Sequence, residues 1–405
     1  MTELSEQAQH VLSALMTIHP AVTDEEVHLS MVAALLGGSG SAAQNVLAEL
    51  GRAGYVTQHG AYRYQLHKVI QPASAQHDPT VLRPVVEWMA QRATQAERII
   101  QPHSWRLSSV YQMPGQVFTD ADHAMNWFRE HRVRLMTLLT LALDQGWNEL
   151  AWQVAEPLWG LCRYAGQFHD ELVSQQIAVQ ALDRLNQQRA SVFHSRAAHA
   201  HTDLGQHEHA EREATLAIGQ ARAAKDRMAL STALYTRGRA RHAAGDPRTA
   251  LSDYQEALEL AVEVDSPRSK ALRHRRIGAA LAELDETDRA LAHLRQAVAL
   301  MDSISDHVGH ARALTELGRV LRQAGHPYEA SDTLGPALLV MRNSGSDRYI
   351  ADVLTELGHT SEATGGLFSA RNYFTEAADK YAATGRADLT DRLRAHLSSI
   401  GEESQ

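Results

Sequence analysis

The sequence predicts an all-α protein whose larger part is a superhelical solenoid of helix–turn–helix repeats, with a small domain of three helices and two strands ahead of it. Three columns of residues predict the solenoid. A small residue returns every forty positions, at Ala198, Gly238, Gly278, Gly318 and Gly358. An alanine follows each by twelve residues (Ala210, Ala250, Ala290, Ala330, Ala370) and another by nineteen (Ala217, Ala257, Ala297, Ala337, Ala377). Between the alanines lies a mostly large, apolar column of Ala214, Tyr254, Leu294, Leu334 and Phe374. Small residues belong where two helices cross closely, and the large one is expected to fill the gap between successive units.

The elements follow in chain order. Residues 5–18 carry helical apolar spacing at Val11, Leu12, Leu15 and Met16, and Pro20 ends the run. A second helix is expected to open at Thr23, with Glu26 completing a capping box, and to stop at Gly37, Gly38 and Gly40. The third runs from Ser41 through Val46, Leu47 and Leu50 to about Ala53, before Gly54. Two short strands, 55–58 and 61–67, meet in a hairpin at His59-Gly60. Three helices and a two-stranded wing make residues 1–70 a winged helix.

Residues 71–150 read as a linker and connecting helices. The polar, proline-marked stretch 71–80 leads into an amphipathic helix over 81–100 that Pro102 closes. A loop with Pro114, Gly115 and Phe118 precedes helices over 121–145 and 147–165, the latter expected to kink or divide at Pro157. The solenoid then occupies 151–400. It begins with a degenerate repeat over 151–182, where Gly166 and Ala178 keep the turn-to-alanine spacing one residue out of phase. Five regular repeats follow over about 191–380, each with its turn at Gly205, Gly245, Asp285, Gly325 or Gly365, and a polar closing helix over 386–400 ends the stack.

The order of small residue, turn glycine, alanine, aromatic and alanine resembles the tetratricopeptide repeat (TPR), with its period stretched from about 34 residues to forty. One unit cannot bury its own apolar face, and five exceed the three or so that a stable stack needs. The segments ahead of the repeats carry a second resemblance. They are Tyr62-Arg63-Tyr64-Gln65-Leu66-His67-Lys68-Val69, Val85-Val86-Glu87-Trp88-Met89, Ala124-Met125-Asn126-Trp127-Phe128-Arg129-Glu130 and Trp147-Asn148-Glu149-Leu150-Ala151-Trp152. In this order they are similar to the winged-helix and TPR part of the actinobacterial STAND (NB-ARC/TPR) signalling proteins. The ATPase module of that family has no counterpart, because no Gly-Lys dipeptide exists to build a phosphate-cradling loop. The resemblance therefore implies a stand-alone regulator or adaptor without the family's ATP switch.

Composition narrows the function classes. The chain has 405 residues, 44% of them hydrophobic, and its 39 Lys and Arg against 48 Asp and Glu give a net charge of -9. Such a chain does not advertise a nucleic-acid or anionic-membrane partner. No apolar run is long enough to span a bilayer, and the acidic start is unlike a secretory signal, so a cytoplasmic protein is expected. The single Cys162 excludes an intramolecular disulfide and reads as a buried, inert thiol. The winged helix invites a DNA reading in which Ser41, Gln44 and Asn45 on the third helix meet base edges and Arg63 meets a phosphate. Residues 1–70 hold only three cations, Arg52, Arg63 and Lys68, against six anions, fewer than the roughly 6–10 phosphate contacts of a specific binder. DNA binding, as a dimer that doubles those cations, is the alternative rather than the leading reading, and the oligomeric state stays open.

The TPR resemblance implies where a partner binds. The first helix of each unit lines the concave face, at positions six and three before the small residue and one and four after it. That register selects Ser195, His199 and Thr202, then Thr232, Tyr235, Arg239 and His242, then Leu272, Arg275 and Ala279 with Arg276 beside them. Arg312, Thr315, Arg319 and Arg322 follow, and Asp352, Thr355, His359 and Glu362 end the row. An arginine-rich groove suits an acidic peptide segment or a chain-terminal carboxylate. The competing reading is a solvated face neutralised by neighbours such as Glu316. No cofactor, metal site or catalytic grouping is expected. The histidines His194, His199, His201, His207 and His209 cluster in sequence, but His207 and His209 on one helix start point their rings apart.

Overall fold

The computed structural model describes residues 4–18, 26–67, 79–113, 115, 117–187 and 189–402. The chain begins with α1 (Glu6–Ile18), β1 (Glu26–His28), α2 (Leu29–Leu35), α3 (Gly40–Arg52), β2 (Val56–Gln58) and β3 (Arg63–Leu66). The strands form one antiparallel sheet in the order β1-β3-β2, with Val27 opposite Tyr64 and Thr57 opposite Gln65. The three helices and the hairpin are present as expected, but the start of the second helix is not. Thr23 lies outside the described residues, and 26–28 form a strand. Its reason is the open edge of β3: pairing there satisfies the backbone of 26–28 and buries Val27 to 4% exposure. The helix starts two residues past Val27, where His28 Nδ1 accepts the N–H of Ser30 at 3.2 Å.

A 3-10 turn (Pro79–Leu82) enters α4 (Arg83–Ile100), followed by α5 (Ala121–Asp144), α6 (Asn148–Ala165) and α7 (Phe168–Arg184). Helix α6 is not divided at Pro157. The proline is buried inside it, and packing against α4, α5 and α7 outweighs the backbone hydrogen bond that a proline removes. The loop before α5 is held down by Glu156, whose carboxylate accepts the N–H groups of Leu107 at 2.6 Å and Ser108 at 2.9 Å.

The repeats are five helix pairs. They are α8 (Ala190–Asp203) with α9 (His207–Ala224), α10 (Arg227–Ala243) with α11 (Pro247–Glu263), and α12 (Pro267–Glu283) with α13 (Thr287–Ser303). Then come α14 (His307–Gln323) with α15 (Pro327–Ser344), α16 (Asp347–Ala363) with α17 (Leu367–Ala383), and the closing helix α18 (Ala387–Glu402). The small column is set by close approach within a unit: a Cβ on Gly238 would come within 2.6 Å of Tyr254, and one on Gly278 or Gly318 within 2.6 Å of Leu294 or Leu334. The large residue thus abuts the glycine of its own unit rather than only filling the gap between units. At the turns, Gly245 has φ +88°, and Asp285 takes the same left-handed conformation at +61°.

The superhelix returns on itself. The Tyr164 hydroxyl on α6 donates to the Ser344 carbonyl, Ser346 Oγ lies 3.5 Å from the Tyr164 carbonyl, and the rings of Tyr164 and Tyr349 meet edge to face at 6.0 Å. The first turn of α16 thereby meets α6, and the interior of the coil closes around the side chains that line it.

Candidate functional site

The inner helices bring most of the selected residues to this interior, and they divide into two groups. On the early side, Arg239 is 8% exposed, Tyr235 6%, and the Arg239 guanidinium donates to the ring of the neutral His199. Burial, then Arg239 and Arg163, hold the His199 imidazole well below its usual pKa. This group is organised by Asp203, which accepts Arg163 at 2.8 Å and Arg348 at 3.0 Å and lies 3.5 Å from Arg239. Burial opposes ionisation of Asp203, yet Arg348, Arg163 and Arg239 hold its carboxyl well below the usual range. Ser195 and Thr202 bond back to the carbonyls of Ser191 and Ala198 on their own helix, which leaves them no hydroxyl proton for a partner.

On the later side a cavity of about 280 Å³ opens between α12, α14 and α16. Five arginines line it, Arg275, Arg276, Arg312, Arg319 and Arg348, against three carboxylates, Glu316, Asp352 and Glu356. Arg275 is 4% exposed; its Nη1 lies 3.7 Å from Glu316, while its Nη2 is buried with no hydrogen-bond partner. The Arg276 Nε is likewise buried and unpartnered. Burial, with Arg276 and Arg312 beside it, pulls the Arg275 pKa down to about 9. Burial raises the Glu316 carboxyl, but Arg319, Arg275 and Arg276 bring it down to about 2. The same field acts on Tyr235: burial resists ionisation, while Arg276, Arg275 and Arg239 lower its phenol to about 6. The arginine field thus prevails over burial at Glu316 and Tyr235, whereas at Asp352 and Glu356 burial prevails and raises the carboxyls. The remaining wall of the cavity includes Tyr349, stacked under Arg312 at 4.7 Å, and Tyr381, which donates to Asp352 at 2.7 Å.

Not every selected residue reaches this cavity. Arg322 bonds Glu356 at 3.1 Å from outside its lining, and His242 pairs with Glu283 at 3.0 Å. Arg348 and Tyr349 were missed by the sequence register, since they lie in the first turn of α16, ahead of the groove positions. Only the closure of the superhelix carries Arg348 to Asp203, 145 residues away. The five early histidines do not converge: His194 bonds Glu213, His199 meets Arg239, and His201 stacks on His209 at 5.4 Å. Cys162 is fully buried, and burial raises its thiol well above the usual pKa. At the N-terminal end, Ser41, Gln44 and Asn45 are exposed on α3, while the exposed Arg63 lies 3.7 Å from Glu130 on α5.

Among the described residues, no helix is long and apolar enough to cross a membrane. Residues 270–338 match a family model described as tetratricopeptide repeat. A stretch of 88 residues, 22% of the chain, is 33% identical to the Tonsoku-like protein of Bos taurus and spans 6% of that protein's length. Among solved structures, a STAND signal-transduction ATPase with a tetratricopeptide repeat sensor from Pyrococcus horikoshii is similar over 99% of this chain and 63% of its own, at 15% identity and a TM-score of 0.48. A Rap protein solved in complex with Competence and Sporulation Factor is similar over 78% of this chain and 98% of its own, at 12% identity and a TM-score of 0.48. The fold is that of an all-α tetratricopeptide-repeat solenoid.

Proposed function

We propose that this chain is a non-enzymatic, cytoplasmic regulatory or adaptor protein that captures a protein or peptide partner by an acidic group held in the arginine cavity. The single observation that carries this reading is the pair of buried guanidinium nitrogens, Arg275 Nη2 and Arg276 Nε, left without hydrogen-bond partners at a cavity with more arginines than carboxylates. Leaving a buried donor unsatisfied costs about 1–3 kcal/mol, more when it is charged, and a carboxylate that accepts from both offsets that cost. The cavity volume of about 280 Å³ lies just below the roughly 300–1,000 Å³ of ordinary ligand pockets. It therefore takes the anchoring carboxylate of a partner, a terminal group or an acidic side chain, rather than an extended segment laid along the whole inner face.

The domain reading that goes with it is a winged helix at 1–70, connecting helices over 71–150 and the TPR solenoid over 151–400, in a chain that resembles the winged-helix and TPR part of a STAND-type regulator. The test is fluorescence polarisation with a labelled hexaglutamate peptide, its amidated form and hexaglutamine. Binding should be selective for glutamate, weaken with salt, and drop at least about tenfold in Arg312→Gln/Arg319→Gln, a loss of about 1.4 kcal/mol. Equal binding of hexaglutamine, or of hexaglutamate by the double variant, would overturn the reading.

A second reading, DNA binding through α3, is favoured by the exposed polar row of Ser41, Gln44 and Asn45. It has few cations to work with, and Arg63 faces Glu130. A mobility shift on duplex DNA across a salt series separates the two: no retardation at low salt removes the DNA reading.

A further inference from the structure

Outside the arginine cavity, one group of side chains converges from two helices. His359 and Glu362 stand one turn apart on α16, and His396 comes from α18. The Glu362 carboxylate faces both rings, with Oε2 at 3.1 Å from His359 Nδ1 and Oε1 at 2.8 Å from His396 Nε2. One ligand atom from each of the three lies within 4.8 Å of the others. The rings are 5.5 Å apart, and both present themselves edge to face to Phe374, at 4.9 Å and 5.0 Å. Phe374 is fully buried and held against Gly358, so it forms a fixed apolar wall behind the two imidazoles. The side chains of His359, Glu362 and His396 keep 35%, 22% and 37% exposure, so solvent reaches the group from the other side.

We propose that His359, Glu362 and His396 form a binding site for a divalent first-row transition metal, zinc being the cation its donor set fits best. Two imidazole nitrogens and one carboxylate, with a fourth position open to water, make the His₂Glu set of zinc sites that keep an exchangeable ligand. At Zn–N of about 2.0–2.1 Å and Zn–O of about 2.0–2.2 Å, tetrahedral ligand atoms lie roughly 3.4 Å apart. Each nitrogen now lies beside a different oxygen of Glu362, at 3.1 and 2.8 Å, and the three ligand atoms lie within 4.8 Å of one another, so a shift of about 1 Å in the partly exposed side chains brings them to that spacing. The apolar wall restricts the rings, so little rotamer freedom is lost on binding. Water supplies the fourth ligand on the exposed side.

The site joins the last regular repeat to the closing helix. The metal would staple α18 onto α16 across 34 residues of sequence, at the end of the stack where a terminal helix has a neighbour on one side only. Binding to the folded state alone stabilises it by mass action, so the metal should raise the temperature at which α18 detaches.

The test uses the full chain, stripped with chelator and then titrated calorimetrically with zinc chloride, and separately with cobalt(II), whose visible absorption reports its coordination geometry. One zinc per chain and a tetrahedral cobalt spectrum are expected. Loss of an outer supporting group at a metal site typically costs about 10–100-fold in affinity, and loss of a ligand should cost at least that much. His396→Ala and Glu362→Gln should therefore each weaken binding at least about tenfold and abolish the cobalt spectrum, while His209→Ala, a change at an exposed histidine on α9, leaves both intact. Glu362→Gln preserves side-chain size, so its circular dichroism shows whether the fold is kept. Zinc binding by His396→Ala and Glu362→Gln equal to wild type would place the metal on other histidines and overturn the proposal, as would no binding at all.

Discussion

Replacing Asp203 by asparagine removes one negative charge from a place where three guanidinium groups converge. Its side chain is 7% exposed, and Arg163, Arg239 and Arg348 are 9%, 8% and 16% exposed, so solvent cannot take over the lost interaction. Arg163 keeps a second partner in the buried Glu171. Arg239 and Arg348 lose their carboxylate. Breaking a buried pair by removing one member costs about 3–5 kcal/mol, because an uncompensated charge stays behind. At about 2–4 °C per kcal/mol for a unit of this size, the midpoint of thermal unfolding should fall by roughly 6–20 °C. Arg348→Met should cost less, about 1–3 kcal/mol, because Asp203 retains Arg163 and Arg239. The double variant should be milder than the sum, since the second change removes a charge that the first had stranded. The pH dependence has a definite sign: the carboxyl is depressed in the fold, so its contribution is complete above the unfolded value near 3.8 and is lost as pH falls towards the folded one. The gap between wild type and Asp203→Asn should therefore narrow in acid. The assay is urea and thermal denaturation followed by circular dichroism at pH 7 and at pH 3. An Asp203→Asn midpoint within about 0.5 kcal/mol of wild type, or strict additivity with Arg348→Met, would refute the closure of the superhelix through this residue.

Gly278→Ala should destabilise by about 1–3 kcal/mol, because the new Cβ would lie 2.6 Å from Leu294; pairing it with Leu294→Ala should cost less than the two single changes together, as the native Ala198 and Ala214 of the first unit foreshadow, and chemical denaturation measures both. His131 is 8% exposed and held to about 3 by burial, with Arg134 beside it. Because its folded value is depressed, the unfolded chain takes up the proton first, and stability falls as pH drops from 6.5 towards 3. The loss reaches about 2 kcal/mol at pH 5 and should be absent in His131→Phe, read from urea midpoints at pH 7 and pH 5. Cys162 should resist a maleimide in the native protein and label on unfolding, checked by mass spectrometry.

The repeats were legible because their signal is local and repeated. Gly238 beside Tyr254, or Gly318 beside Leu334, is a contact between helices sixteen residues apart, and five copies in phase reveal it without tertiary information. The same register found Arg275, Arg312 and Arg319, since position within a helix decides which face turns inward. The capping-box signal placed Glu26 in the first turn of a helix, but 26–28 form a strand, because the edge of β3 that pairs with them lies nearly forty residues away in sequence and leaves no local trace. The sequence also expected the helix over 147–165 to kink or divide at Pro157, but packing on three neighbouring helices overrides that local preference and α6 runs through undivided.

What the sequence determined by itself is the architecture: forty-residue periodicity dictates stacked helix pairs, and the composition of their inner positions dictates arginine facing arginine. What only the tertiary structure decided is how far the stack turns. That curvature is a small rotation summed over all the units, invisible in any one of them, and it brings Arg348 to Asp203, buries Tyr235 and Arg239, and leaves a cavity where a long groove was expected. The same holds for His359, Glu362 and His396, which share a site because of where α18 comes to rest.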